Sequence, residues 1–154
     1  MSRATRSRSK TLATWLAVLG GALGAHRFYL HGGRDALAWL HWPPSLLGLA
    51  GAARMFNLGQ DDVASWLLLP LLGLMLTQAM LSAILIGLTP DARWAARWQQ
   101  PEQATGWAPV LGAIAALLLG GTALMSTLAF GGQKLFEWQQ LQAEAAQQAG
   151  GATH

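Results

Sequence analysis

The chain has 154 residues, of which 53% are hydrophobic and only 11% charged. Soluble domains carry about 25% charged residues, so this composition predicts an integral membrane protein and leaves no length for a second soluble domain. The net charge of +3 is carried beside apolar runs, where membrane lipids are the simplest partner and nucleic acid is not expected. The absence of cysteine excludes disulfides and thiolate metal sites.

Residues 1–10 hold Arg3, Arg6, Arg8 and Lys10 without apolar periodicity, which predicts a mobile, basic cytoplasmic tail. An apolar run follows from Thr11 to Ala25. It is short for a span of about 20 residues. Extension to Leu30 supplies the length and draws His26 and Arg27 into the end of the helix, from which a long Arg side chain snorkels to the head groups. Gly20 and Gly24 form a G-x-x-x-G pair, which predicts a helix-packing face. A basic start, a short apolar run and Ala22-Leu23-Gly24 also resemble a secretory signal with its cleavage site. The immediate return to a second apolar run favours a retained helix.

The run ends in Gly24-x-His26-Arg27-Phe28-Tyr29-Leu30, then a Gly32-Gly33 turn and a second apolar segment. This pattern resembles the TM-two domain family, whose members are hairpins of two membrane helices with an Asp/His-Arg-Phe motif in the loop. The resemblance covers residues 10–56, about a third of the chain. It implies an N-terminal helical hairpin over residues 11–56 and names no reaction, because the family's molecular activity is poorly defined.

The second span is expected over Ala36–Phe56, with Asp35 as the hairpin cap on the free amides of its first turn. Pro43-Pro44 predicts a kink or break after Trp42, making this a bent span or a re-entrant half-helix. A polar turn, Asn57–Asp62, leads to a third span over Val63–Leu88, with Pro70 inside it. Thr89-Pro90-Asp91 is a helix-start signal. It predicts a short interfacial helix near 90–99 that carries Trp94 and Trp98 beside Arg93 and Arg97. The fourth span is expected over Trp107–Phe130, with Gly120, Gly121 and Thr122 as packing positions. Residues 57–132 therefore hold two further transmembrane helices, and residues 133–154 form a polar Gln/Ala-rich tail with one amphipathic stretch. Trp66, Trp94, Trp98, Trp107 and Trp138 fall near the span ends, as an aromatic belt would.

These elements predict an all-α, polytopic membrane bundle of about four transmembrane helices. An even number of spans places both termini on one side, and the N-terminal basic cluster places that side in the cytoplasm of a bacterial-type inner membrane. Little chemistry follows. His26, His31 and His41 have no spacing that specifies convergence on a metal, and neither a metal nor a cofactor is expected. There is no Ser/His/Asp pattern, and the third and fourth spans hold no ionisable residue, unlike pumps and coupled transporters. Arg27 is expected to bind a head-group phosphate, Asp35 or both. The sequence thus predicts a structural or interaction role without enzymatic activity, its partners being membrane lipids and a second copy or another membrane protein. The alternative is a small channel or transporter component that uses the Pro-broken second span and His41.

Overall fold

The computed structural model describes residues 7–151, with side chains to residue 148; the expected tail residues Arg3 and Arg6 lie outside the described residues. All regular structure among them is helical. In chain order the helices are α1 (Lys10–Gly20), α2 (Ala25–His31), α3 (Ala36–Trp39), α4 (Trp42–Leu58), α5 (Val63–Gly87), α6 (Asp91–Trp98) and α7 (Ala108–Gly151). Two of these, α5 and α7, are long and apolar enough to cross a membrane, each with a stretch of mean hydropathy 2.0. The four full spans expected from the sequence are not supported.

Helix α5 is the centre of the bundle. Asp62 starts it, accepting hydrogen bonds from the Ser65 amide at 3.1 Å and the Ser65 hydroxyl at 2.6 Å. Arg54 fixes the same carboxylate bidentately at 2.9 and 2.8 Å, which ties the end of α4 to the start of α5. The Arg54 hydrogen bond, aided by Ser65, holds the Asp62 carboxyl well below its ordinary pKa. The helix then runs 25 residues through Pro70. At roughly 1.5 Å per residue it is about 37 Å long, enough for a hydrocarbon core of about 30 Å.

Three helices pack on α5, and small residues set each contact. Helix α4 is antiparallel to it. A Cβ on Gly48 would lie 2.6 Å from Leu72 Cβ, and one on Gly51 would lie 2.6 Å from Leu68 Cβ, so the backbones touch. Helix α7 is also antiparallel, Gly87 meeting Pro109 and Ala113, Met80 meeting Gly120, and Gly73 meeting Thr127. Of the adjacent pair in α7, Gly120 makes the close approach and Gly121 faces open space. Helix α1 packs in the remaining angle, where Ala17 and Val18 meet Ala79, Met80, Ala83 and Ala116.

The first apolar segment does not cross the bundle. Helix α1 has 11 residues and closes into a single tight turn at Gly21–Leu23. Gly24 then takes φ +76, a left-handed conformation open to glycine at little cost, and α2 runs back beside α1. The return is complete enough that the Tyr29 hydroxyl accepts a hydrogen bond from the Ser9 amide at 2.9 Å. The Gly20-x-x-x-Gly24 packing face is therefore not formed, because the helix ends between the two glycines. Gly21 makes the contact with α5 instead, where a Cβ would fall 2.7 Å from Ala79 Cβ.

The second apolar segment is broken, but at Leu40 and His41, before Trp42 rather than after it. Chain α3 ends at Trp39, and α4 begins at Trp42 with Pro43 and Pro44 in its first turn. A first-turn proline lacks only an amide hydrogen that has no helical partner there, so these prolines start a helix. The fourth segment is longer than predicted. Helix α7 passes Gly131-Gly132 without interruption and runs 44 residues, joining the expected fourth span and the expected separate tail.

The described ends of the chain consequently sit at opposite ends of α5. Lys10 pairs with Asp91 and Thr89 just past the α5 C-terminus, while the Lys134 ammonium lies 4.4 Å over the Trp66 ring near its N-terminus. Arg8, Ser9 and Lys10 are docked and Lys10 is 6% exposed, so this part of the predicted mobile tail is a structural element.

Candidate functional site

The motif residues converge at the end of the bundle that holds the α5 C-terminus, each with a distinct contact. Gly24 lets the chain reverse, and a Cβ there would approach the Ala38 carbonyl oxygen to 2.8 Å. Arg27 Nε donates to Asp35 Oδ2 at 3.0 Å. Asp35 Oδ1 accepts from the Leu37 amide at 3.1 Å and so caps α3. Phe28 meets Trp39 edge-on at 5.2 Å, Tyr29 holds Ser9, and Leu30 is buried against Ala13 and Trp94. Desolvation pushes the Asp35 carboxyl up, but the hydrogen bonds from Arg27 and the Leu37 amide outweigh it and leave the pKa below its ordinary value.

His26 is buried behind this layer, 3% exposed, and meets His41 edge-on at 6.1 Å. Its Nδ1 has no hydrogen-bond partner. His41 sits at the α3–α4 break, its Nδ1 2.6 Å from the Leu37 carbonyl and its Nε2 3.1 Å from the Gln78 amide group. The Gln78 atom facing His41 Nε2 is Oε1, and the Gln78 Nε2 donates to the Ser82 hydroxyl at 3.3 Å. His31 lies outside the pair, edge-on to Trp98 at 5.7 Å. Among the described residues no three His, Cys, Asp or Glu side chains converge in a metal-binding arrangement.

Helix α6 closes this end of the bundle. The sequence placed Trp94 and Trp98 at the lipid interface, but Trp94 is 6% exposed and packs on Ala13 and Leu30. Its indole donates to the Arg8 carbonyl at 2.8 Å, and the Arg8 guanidinium lies 4.1 Å over the Trp98 ring. The Gln100 side chain brackets the Arg8 peptide with two further hydrogen bonds. Below them Lys10 donates to Asp91, which also receives the Thr105 amide and hydroxyl. The Lys10 hydrogen bond, with those from Thr105, lowers the Asp91 pKa to about 2. Thr89 does not cap α6; its hydroxyl donates back to the Leu85 carbonyl.

A cavity of about 210 Å³ opens between α2, the end of α5 and α6. Arg27, His31, Arg97 and Trp98 line one part and Leu30, Leu85 and Ile86 another. Trp98 Nε1 is buried without a partner. The sequence singled out Arg27 but not its convergence with Arg97 and Trp98, which lie about 70 residues further along the chain. The local signal was the Arg/Trp alternation of residues 93–98, which reads equally as an interfacial stripe. Two other cavities, of about 350 and 600 Å³, are mostly apolar grooves between α5 and α7. Comparison with family models, with curated proteins and with solved structures finds no match to this chain.

Proposed function

We propose that the chain is an integral membrane protein with a structural or interaction role, built on a TM-two-like N-terminal motif. The observation that carries the membrane reading is the apolar outer surface: Leu67 is 74% exposed, Leu85 64% and Leu118 67%, on helices long enough to span. A soluble monomer rarely exposes such a continuous belt. In this reading α5, α7 and the broken α3–α4 segment cross the bilayer, and α1–α2 enters and leaves from one face. Irregular backbone at membrane depth is tolerated because it is packed against protein.

Three crossings place the N-terminus and the C-terminus on opposite sides. The basic residues then separate strongly. Arg8, Lys10, Arg27, Arg34, Arg93 and Arg97 belong to the α6 end, and Arg54 and Lys134 to the other. The positive-inside tendency therefore puts the N-terminus and α6 in the cytoplasm and the C-terminal end of α7 outside, in a bacterial-type inner membrane. The motif is a clamp in this scheme, joining the reversal, α3 and the N-terminal segment, and no catalytic role is assigned to it.

A channel or transporter component is the second reading, favoured by one observation: His41 and Gln78 form a polar pair at the break between α3 and α4. Proteoliposome flux measurements separate the two. The structural reading expects no solute- or ion-dependent flux and in-membrane crosslinks to a second copy or a partner. Flux that His41→Leu abolishes would replace it with the transport reading.

A further inference from the structure

We propose that the cavity between α2, α5 and α6 binds the phosphate of an anionic phospholipid, a site that rests on the membrane reading above. The cavity has the chemistry of an anion site. Trp98 Nε1 is a buried donor without an acceptor, and an indole nitrogen can only donate. Arg97 lines the same space and, among the described residues, forms no ion pair. Arg27 and His31 line the same cavity, and among the described residues no carboxylate does. Asp91 is engaged by Lys10 and Thr105, and Asp35 is bonded to Arg27 and lies 3.7 Å from His31, so that wall is partly neutralised from behind and Arg97 with the Trp98 indole carries the anion site.

The shape selects a lipid over a free anion. The polar wall faces Leu30, Leu85 and Ile86 across the same cavity. A second cavity of about 370 Å³ shares Leu85, Thr89 and Arg97 with the first and continues over Ile84 and Leu88 on the outer face of α5. Arg97 thus stands where a polar pocket meets an apolar track toward the bilayer. Arg93 adds a further positive charge to that track, which also lacks a carboxylate. A head-group phosphate among the donors, with an acyl chain along Ile84 and Leu88, occupies both spaces at once. The site falls at the end of the bundle assigned to the cytoplasmic leaflet, where anionic lipids give the surface its negative potential.

Native mass spectrometry of the full chain in micelles tests this, with phosphatidylglycerol, phosphatidylcholine and inorganic phosphate as probes. Phosphatidylglycerol should be retained about tenfold or more tightly than phosphatidylcholine, and inorganic phosphate should not bind. Arg97→Gln removes the charge, and Trp98→Phe removes only the donor while keeping the ring. Each should weaken phosphatidylglycerol binding by about tenfold, the scale of one charge-assisted hydrogen bond. Arg34→Gln, in an exposed turn away from both cavities, should leave it unchanged. Equal retention of the two lipids, phosphate binding as tight as phosphatidylglycerol, or undiminished binding by both cavity variants would overturn the proposal. Alkaline extraction of the same chain from membranes separates the two levels. Release would remove the membrane reading itself, whereas an integral chain without lipid selectivity would remove only the site.

Discussion

Replacing Gly48 by Ala probes the closest backbone contact in the bundle. The new Cβ would lie 2.6 Å from Leu72 Cβ and 2.7 Å from Leu72 Cα, where ordinary contact begins at 3.4 Å. The nearest obstruction is the Leu72 backbone nitrogen, so no rotamer change relieves it, and α4 must retreat by about 1 Å at this point. A gap of that size forfeits a quarter to a half of the dispersion energy of the facing atoms, and overpacking of this kind costs about 1–3 kcal/mol. The higher helix propensity of Ala returns about 1 kcal/mol. The net expectation is a loss of about 0–2 kcal/mol. Gly121→Ala is the internal reference, because nothing lies within 4 Å of its Cβ position. There only the propensity gain remains, up to about 1 kcal/mol of stabilisation. The two variants should therefore separate by about 2 kcal/mol in reversible SDS unfolding from mixed micelles, followed by helical circular dichroism. A Gly48→Ala protein stabilised as much as Gly121→Ala would refute the close α4–α5 packing and the antiparallel register derived from it.

Arg27→Ala leaves Asp35 with its single capping bond from the Leu37 amide and the His31 ring 3.7 Å away, and should cost about 1–3 kcal/mol in the same unfolding assay. Arg27→Lys should recover part of it, because charge returns without the planar guanidinium; an Arg27→Ala chain as stable as the parent would remove the clamp role. The Asp91 pKa is depressed to about 2 by Lys10 and Thr105, so its contribution is present above the ordinary carboxylate pKa of about 4 and is lost as pH falls from there through 2. Thermal unfolding in nanodiscs should show stability falling over that window, and Asp91→Asn should remove the Asp91 part of the fall. An unchanged pH profile in Asp91→Asn would contradict the docking of Lys10.

The sequence carried the helical class and the apolar character plainly, because both depend on composition summed over long windows. It also carried the positions where glycine matters, but not which neighbour each one admits. Gly20 and Gly24 satisfy the packing spacing, yet the helix ends between them, and Gly21 makes the interhelical contact. A turn inside a fifteen-residue apolar run costs little when protein surrounds it, so hydropathy reads a re-entrant loop and a short span alike. The prolines at 43 and 44 announced a discontinuity, but propensity alone does not tell a helix broken after Trp42 from one begun at it. The fourth span is expected to end at Phe130, where the apolar run stops, but the strong helix formers on both sides of Gly131-Gly132 carry α7 across it. The contacts that assemble the candidate site join Arg8 to Gln100, Lys10 to Asp91 and Trp94 to Leu30. Such distant pairs leave no periodic signal in a single chain.

The number of crossings decides most of this account, and the absence of native cysteine makes it directly measurable. Single cysteines at Ser7, Gly33, Gln99, Gln60 and Gln139 can be labelled with a membrane-impermeant maleimide in intact spheroplasts and in inverted vesicles. The re-entrant N-terminal loop and three crossings predict that Ser7, Gly33 and Gln99 react only in inverted vesicles. Gln60 and Gln139 should react only in spheroplasts. Ser7 and Gln139 labelled from the same side, with Gly33 labelled from the other, would restore a full first span and contradict the fold and orientation proposed for this chain.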